Sequence, residues 1–204
     1  MPETERPTER VQAKRVKRRR EILHAALAAV RDKGYHDTTL GDIAQRLGIR
    51  KTALYHYFQD KDAILFACHL ESLAELDRLV EASAKVGSPR ERLAFLIREH
   101  VRIMSDDLEG SPLTFEVPSL PARWRAEIVE GRDRYEHHLR ELVTQGIAAG
   151  EFREADPKVV VFAILGSINW IGRWYRPGGG VTAAVLADQF AEYLIGGLEC
   201  RARA

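Results

Sequence analysis

The chain has 204 residues, of which 45% are hydrophobic and 30% are charged. These proportions are ordinary for a globular protein and exclude collagen-like, low-complexity and disordered chains. The longest apolar run, residues 159–171, contains Ser167 and Asn169 and is shorter than the roughly 20 residues that a membrane-spanning helix needs. The first residues are charged rather than apolar, so no signal peptide is expected.

The charge is unevenly distributed, although the net charge is only +1. Residues 1–20 contain eight basic and three acidic groups, a net charge of +5, so the remaining residues together carry −4. A basic segment on a mildly acidic body indicates an anionic partner, either nucleic acid or a membrane surface. A solvated basic tail without a partner is the alternative.

The two cysteines, Cys68 and Cys200, are far apart in sequence and form no CxxC pair. They are predicted to be reduced thiols in a cytoplasmic protein, with a single disulfide between them as the alternative. The histidines His100, His137 and His138 lack partners at metal-ligand spacing, so no metal site is predicted.

Helical periodicity recurs along the chain, and strand signals are nearly absent. A first apolar stripe ends at Gly34, a second short helix is bounded by Thr39 and Gly48, and a third runs from Lys51 to Phe58. Longer helices are predicted after Asp60, from residue 90, at Pro121, after Asp156 and after Thr182, while residues 109–121 are irregular or hold only a short helix. The sequence therefore predicts an all-α protein of about nine helices.

The most informative segment is residues 38–61, TTLGDIAQRLGIRKTALYHYFQDK. It predicts two short helices joined by a tight turn at residues 47–49, where Gly48 can adopt a left-handed conformation. A helix-turn-helix of this kind presents its second helix to the major groove of DNA. That helix carries side chains suited to phosphates, base edges and thymine methyl groups, namely Lys51, Thr52, Tyr55, His56 and Tyr57.

With these motifs, residues 19–66 resemble the TetR family of transcriptional repressors. The resemblance rests on residues 25–34, 38–39, 42–44, 47–49, 51, 53–58 and 61. It implies a basic N-terminal arm at residues 1–18, a helix-turn-helix DNA-binding domain at residues 19–63 and a ligand-binding and dimerisation domain at residues 64–204. It also implies that Thr39, Tyr57 and Lys61 bind phosphates, and that Arg50, Lys51, Thr52, Tyr55 and His56 also contact DNA.

Two positions depart from the family pattern. Arg50 stands where the family often has a capping serine, which weakens the helix cap and adds a cation. Gly41 stands where some members carry a base-reading side chain, so readout at that position is not implied. The basic residues 15–20, placed just before the first helix, are expected to follow the DNA backbone or enter the minor groove.

Residues 120–121, 125–128, 132–135, 146–147, 150, 152–153, 170 and 173–179 resemble the corresponding segments of a TetR subgroup. This subgroup controls the degradation of fatty acids, aromatic acids or sterols and responds to acyl-coenzyme A thioesters. Such a ligand needs an apolar tunnel, cations for its phosphates and stacking surface. The candidate ligand-binding residues are Arg123, Trp124, Arg132, Asn169, Trp170, Arg173, Trp174 and Arg176. As alternatives, Trp170 and Trp174 lie in the core or the dimer interface, and Asn169 bonds a backbone carbonyl.

The last two helices are expected to form a two-fold dimer interface, because helix 159–175 is apolar on nearly every face. A dimer places two recognition helices about 34–36 Å apart, opposite a palindromic operator. The leading hypothesis is a cytoplasmic repressor without a resident cofactor, released from its operator by an acyl-coenzyme A. The alternatives are a TetR-type repressor induced by a hydrophobic drug or aromatic metabolite, and an all-α enzyme. The sequence has no GxGxxG, Walker, GxSxG or HExxH motif, which argues against the enzyme.

Overall fold

The computed structural model describes residues 7–107, 117–176 and 178–199. Within those ranges there are eight α-helices and no strand, which confirms the prediction of an all-α fold. The helices are α1 (Pro7–Lys33), α2 (Leu40–Arg46), α3 (Lys51–Leu54), α4 (Lys61–Ser83), α5 (Pro89–Arg102), α6 (Ala122–Ala148), α7 (Pro157–Trp174) and α8 (Ala183–Gly196). A π-helical turn (Ile103–Asp107) continues α5, and a 3-10 turn (Val117–Ser119) precedes α6. No helix in the described ranges combines the length and apolar character needed to cross a bilayer.

The chain divides into two compact units, the first ending at His69 and the second beginning at Leu70. In the first unit, α1, α2, α3 and the beginning of α4 bury an apolar core that includes Ile22, Leu23, Ala26, Leu27, Val30, Ile43, Leu54, Phe58, Ile64 and Leu65. The Cys68 thiol is buried in this core and donates a hydrogen bond to the carbonyl oxygen of Leu23, at an S···O distance of 3.7 Å. Cys200, its alternative disulfide partner, lies outside the described residues.

Helix α1 begins earlier than the sequence patterns indicated. Residues 15–20 were expected just before the first helix, but they lie inside it, because α1 starts at Pro7. Proline suits the first position of a helix, and the following residues are mostly Arg, Lys, Glu, Gln and Ala, which are strong helix formers. An apolar stripe marks only the buried part of a helix, so it missed this solvent-exposed extension.

Most of the other helix ends lie close to their predicted positions, but regular helix in α3 ends at Leu54 and not at Phe58. The side chains of Asp60, Asp156 and Thr182 accept hydrogen bonds from the first turns of α4, α7 and α8, at 2.7, 2.8 and 3.3 Å. Glycines with positive φ follow α1 and α6, at Gly34 (φ 80°) and Gly150 (φ 72°). These caps satisfy backbone groups that a helix cannot pair internally.

In the second unit, α5 packs against α8 and α6, and α6 packs against α7. Their buried faces form a single apolar cluster that includes Leu93, Leu96, Ile97, Met104, Leu139, Leu142, Val143, Ile164, Ile168, Ile171, Leu186 and Ile195. Close contact between α6 and α4 depends on Gly131, because a Cβ atom there would lie 2.6 Å from a methyl carbon of Leu73.

The end of α8 is held by residues distant in sequence. The backbone N–H of Arg153, in the loop before α7, donates to the carbonyl oxygen of Leu198 at 2.8 Å, and its guanidinium donates to that of Gly197 at 3.0 Å. Arg90 of α5 pairs with Glu199, and Arg98 of α5 with Asp188 of α8. The bonds from Arg153 supply donors to carbonyls at the helix terminus.

Candidate DNA-binding and effector sites

Helices α2 and α3 are joined by a tight, hydrogen-bonded turn. Gly48 has a φ of 62°, and the backbone N–H of Ile49 donates to the carbonyl oxygen of Ala44 at 3.1 Å. Ile43, Ala44 and Leu54 are buried at the joint, so α3 is held firmly against α2. This is the predicted helix-turn-helix arrangement, and it fixes which face of α3 is exposed.

Helix α3 is short and weakly capped. Arg50 occupies its N-cap position and makes no side-chain capping hydrogen bond, in agreement with the weak cap that its sequence predicts. Regular helix covers Lys51–Leu54, and a turn bonded from the Tyr57 N–H to the Leu54 carbonyl oxygen at 2.9 Å continues it. Burial of the Leu54 and Phe58 side chains holds this segment against the core of the first unit.

The predicted DNA-contacting residues around α3 lie mostly on its solvent side. Arg50, Lys51, Thr52, Tyr55 and His56 are exposed, with 51% of Tyr55 accessible. Tyr57 is half-buried. The structure therefore brings five of the eight predicted DNA contacts together on one open surface, which we call the recognition surface (Arg50, Lys51, Thr52, Tyr55 and His56).

Thr39, predicted to bind phosphate, is the N-cap of α2. Its hydroxyl accepts from the Asp42 N–H at 3.2 Å and donates to the Asp42 carboxylate at 2.7 Å. Asp42 in turn accepts from the Thr39 backbone N–H and pairs with Lys33. Hydrogen bonds from the Lys33 ammonium and from Thr39 hold the pKa of the Asp42 carboxyl well below its ordinary value. Thr39 is thus part of a capping box that fixes the start of α2.

Lys61, the third predicted phosphate contact, is half-buried at the start of α4. Its ammonium donates to the backbone carbonyl oxygens of Tyr35 and His36, at 2.7 and 3.3 Å. The Tyr35 hydroxyl donates to the Asp62 carboxylate at 2.8 Å. An ammonium has three N–H groups, so these bonds are compatible with a phosphate contact through the third.

The exposed cations of α1 extend the positive surface of the first unit. The Arg19 guanidinium carbon lies 5.1 Å from the centre of the Phe58 ring, just beyond the α3 turn. The exposed basic side chains before the core of α1 are Arg10, Lys14, Arg15, Lys17, Arg19 and Arg20, which we call the basic segment. Its charge lies on a helix rather than on an extended arm.

The eight candidate ligand-binding residues are spread over two stretches. Arg123, Trp124 and Arg132 belong to α6, and the other five lie on α7 or directly after it. Arg123 stacks over its neighbour Trp124, with 4.9 Å from the guanidinium carbon to the ring centre. Burial lowers the pKa of the half-buried Arg132. At the end of α7, Trp170 and Trp174 are 57% and 46% exposed, and Arg176 donates to the Tyr175 carbonyl oxygen at 2.8 Å.

Two cavities between helices of the second unit do not include these candidates. One, of about 1030 Å³, lies between α5 and α8 and is lined by Arg90, Arg98, Asp188 and Glu199 among others. Another, of about 440 Å³, lies between α7 and α8. None of the eight predicted residues lines either cavity, so their role in ligand binding stays a prediction. Within the described ranges, no three His, Cys, Asp or Glu side chains form a group able to hold a metal ion.

Comparison with known proteins decides the family. Residues 22–68 match the domain described as bacterial regulatory proteins, tetR family, and residues 86–198 match the tetracyclin repressor-like C-terminal domain. The chain belongs to the TetR family. It is a TetR-type, ligand-responsive transcriptional repressor.

Three relatives illustrate where in the TetR family the chain lies. The transcriptional repressor KstR2 of Mycobacterium tuberculosis is 30% identical over 188 residues, which cover 89% of this chain and 92% of that one. The fatty acid metabolism regulator of Bacillus subtilis is 25% identical, covering 87% and 94% of the two chains. The structure of AibR in complex with isovaleryl coenzyme A and operator DNA superposes with a TM-score of 0.77, at 29% identity and 89% and 98% coverage.

One buried polar pair of this TetR-family chain was not predicted from the sequence. His100 of α5 and Tyr135 of α6 are 6% and 5% exposed, and their Nδ1 and hydroxyl oxygen lie 3.4 Å apart. Burial lowers the pKa of His100 to about 4 and raises that of Tyr135, so both are neutral near pH 7. The sequence does indicate that His100 is buried, because it occupies a position in the apolar stripe of α5, one turn before Met104.

Proposed function

We propose that this repressor acts as a homodimer that binds a palindromic operator and is released from it by an acyl-coenzyme A thioester. The proposal of DNA binding is supported by the recognition surface, which consists of five exposed side chains on a segment anchored by buried Leu54. The proposal of an acyl-coenzyme A effector is supported by two relatives. AibR has a structure in complex with isovaleryl coenzyme A, and another relative is a fatty acid metabolism regulator. The protein acts in the cytoplasm as a binding protein rather than an enzyme.

The proposed DNA contacts differ in which part of the DNA each side chain is suited to bind. Lys51 and Arg50 are suited to phosphates or guanine edges, and Thr52, Tyr55 and His56 to base edges and thymine methyl groups. Thr39, Tyr57 and Lys61, which are not part of the recognition surface, contact backbone phosphates. The basic segment of α1 adds sequence-independent attraction that depends on salt concentration.

The proposed dimer uses the exposed apolar faces of α7 and α8. Val159, Phe162 and Trp170 follow one another at helical spacing on α7, and each is more than half exposed at 64%, 54% and 57%. Tyr193 of α8 is 70% exposed. A continuous apolar stripe of this kind on a protein surface is typical of an association site. Two copies related by a two-fold axis would cover it as a four-helix interface.

Effector binding needs both apolar and charged partners. The interior of the second unit is packed with Ile, Leu, Val and Met side chains, and an acyl chain that entered it would meet an apolar environment. At the end of α7, Arg173, Trp174 and Arg176 suit adenine and phosphates, with Arg123, Trp124 and Arg132 on α6 and Asn169 on α7 as further candidates. Trp170 is a ligand-binding residue only in the alternative in which it lies outside the dimer interface.

A second candidate effector is a hydrophobic drug or aromatic metabolite without phosphates. It is favoured by the distribution of the candidate arginines, which the described cavities between helices do not gather. The two candidates differ in whether the arginines of α6 and α7 matter for release from DNA.

Release from DNA requires that the effector bind one conformation of the dimer more tightly than the other. Moving operator occupancy from nearly full to nearly empty needs a difference of about 5.5 kcal/mol between the two affinities. Several phosphate contacts together with a buried acyl chain are able to supply a difference of this size.

The test is a fluorescence-anisotropy titration of the full chain on DNA flanking its own gene, with isovaleryl-, lauroyl- and benzoyl-coenzyme A and their free acids. Saturable binding released by one thioester and not by its free acid supports the proposal. Binding that no thioester disturbs overturns the acyl-coenzyme A assignment and leaves the DNA-binding function standing.

A paired substitution checks the DNA-binding surface in the same assay. Lys51→Ala is expected to weaken operator binding about tenfold or more, since a good contact contributes roughly 1–3 kcal/mol. Lys85→Ala, an exposed lysine between α4 and α5, is the matched control and is expected to bind like the unmodified chain. Equal losses of affinity in the two variants would contradict the proposed surface.

A further inference from the structure

The interior of the second unit contains a polar contact between two helices that are distant in sequence. His100 of α5 and Tyr135 of α6 meet with their rings edge-to-face, 5.4 Å between centres and 80° between planes. The polar atoms of the pair, Nδ1 and the phenol oxygen, approach each other to 3.4 Å. This distance is at the long end for a hydrogen bond, so the contact stabilises the fold weakly.

The surroundings of the pair are apolar. On α5, Leu96 and Ile97 lie one turn before His100 and are buried, and Met104 of the π-helical turn lies one turn after it and is also buried. On α6, Ile128, Leu139 and Leu142 share the buried face of Tyr135. Burying an imidazole and a phenol in such surroundings costs free energy that two apolar side chains would not cost. Ligand pockets combine apolar walls with a small number of polar groups that orient the ligand, and the surroundings of this pair match that composition.

The segment that follows His100 departs from regular helix. Residues Ile103–Asp107 form a π-helical turn, a feature that is frequent at functional sites. Met104 in this turn is 4% exposed and lies one turn from His100. An unbranched thioether side chain has low barriers to repacking, so Met104 can move aside for a ligand.

We propose that the Tyr135 hydroxyl, supported by His100, donates a hydrogen bond to the carbonyl oxygen of the effector's thioester. The proposal rests on the acyl-coenzyme A assignment made above. In the Nδ1–H tautomer, His100 donates to the Tyr135 oxygen while the phenol proton turns to the ligand carbonyl. The pair keeps its own bond and gains a second one, and bonds in such a chain polarise one another.

The position of Tyr135 on α6 also connects the contact to α4. Gly131 lies one turn before Tyr135, and the Leu73 side chain of α4 occupies the space where a Cβ atom of residue 131 would stand. A shift of α6 at Tyr135 is therefore transmitted to α4 by direct packing, because close-packed interiors do not absorb such shifts. The ligand contact and α4 are linked through Gly131 and Leu73.

The experiment compares a thioester with its carbonyl-free analogue on the full chain. Affinities of isovaleryl-coenzyme A and of S-(3-methylbutyl)-coenzyme A, a thioether, are measured by calorimetry for the unmodified chain and for Tyr135→Phe. The unmodified chain is expected to prefer the thioester about tenfold, the effect of one buried hydrogen bond. Tyr135→Phe is expected to bind both ligands alike, with its thioether affinity unchanged.

Two further variants complete the design. Tyr175→Phe removes another buried phenol of the same unit and is expected to keep the full preference. His100→Phe leaves the Tyr135 hydroxyl without its supporting donor, so the preference is expected to fall to about threefold. Urea unfolding followed by circular dichroism, measured for each variant, reports whether the second unit is folded, and His100→Phe serves as the primary variant if Tyr135→Phe fails that check.

The outcomes separate this proposal from the assignment on which it rests. A tenfold preference that persists in Tyr135→Phe, or a full preference in His100→Phe, overturns the proposal alone. An unmodified chain that binds its operator but neither ligand overturns both the acyl-coenzyme A assignment and the proposal.

Discussion

The Lys61 ammonium lies 2.7 Å from the backbone carbonyl oxygen of Tyr35 and 4.4 Å from the centre of the Tyr35 ring. The Tyr35 hydroxyl reaches the next residue of α4, Asp62. The loop between α1 and α2 is therefore attached to the first turn of α4 by both its backbone and its side chain. Since α2 starts just after its N-cap Thr39, which follows this loop, the attachment sets the position of the helix-turn-helix relative to the start of α4.

Replacing Lys61 by methionine separates the two roles considered for it. Removal of the bonds to the Tyr35 and His36 carbonyls is expected to lower the free energy of unfolding by about 1–2 kcal/mol, as measured with urea. A phosphate contact would in addition reduce the slope of log affinity against log salt by about 0.9. Lys85→Met is the control, and an unchanged unfolding free energy in Lys61→Met would contradict the structural role.

The basic segment of α1 is expected to bind phosphates. Arg15 and Lys17 are exposed on the helix, so Arg15→Gln with Lys17→Gln leaves the core untouched. For each phosphate that the variant no longer neutralises, the salt slope of operator binding is expected to fall by about 0.9, with weaker binding to all sequences alike. Titrations at several salt concentrations measure this, and Arg134→Gln on α6 is the control. A slope that stays the same would identify the segment as a solvated helix that does not touch DNA.

Trp170 tests the proposed dimer against the proposed ligand site. It is 57% exposed, so Trp170→Glu is not expected to disrupt the core of the unit. A buried, unpaired carboxylate at an interface is strongly unfavourable, and the dimer should dissociate at least tenfold more readily in sedimentation velocity experiments. Ala84→Glu, at an exposed position after α4, should remain dimeric. Intact association combined with an abolished effector response would instead place Trp170 in the ligand site.

The buried His100 makes the stability of the second unit depend on pH. Its pKa is lowered from 6.5 to about 4, so between these values the unfolded chain binds a proton that the folded chain excludes. Stability is therefore complete above pH 6.5 and declines as the pH falls toward 4, by about 3 kcal/mol from this group. Urea unfolding at pH 7, 5.5 and 4.5 should show a smaller decrease for His100→Phe than for His137→Phe. Parallel curves for the two variants would refute the assignment.

Features determined by local sequence were predictable. Thr39, Asp60, Asp156 and Thr182 are recognisable as caps because their side chains bond the backbone a few residues away. Gly48 is recognisable because its conformation needs no distant partner. The helix-turn-helix combines such local signals with a short apolar joint, so its whole arrangement could be predicted from residues 38–61.

Features that depend on packing between distant helices were not predictable. The contact between His100 and Tyr135 joins α5 to α6, and the structural role of Lys61 depends on carbonyls 26 and 25 residues away. The hydrophobic periodicity of one helix does not show which residues of another helix its side chains will contact. The extension of α1 was missed for a different reason, because a helix without a buried face lacks an apolar stripe.

The bonds from Arg153 to the carbonyls of Gly197 and Leu198 have a consequence for the order in which the chain acquires its structure. The first unit is built from residues up to His69, so it can fold once that part of the chain has left the ribosome. The second unit closes only through residues near position 198, so it must wait until synthesis is nearly finished. A nascent chain therefore completes its recognition surface before its second unit, and termination before residue 197 removes the carbonyl groups that Arg153 bonds.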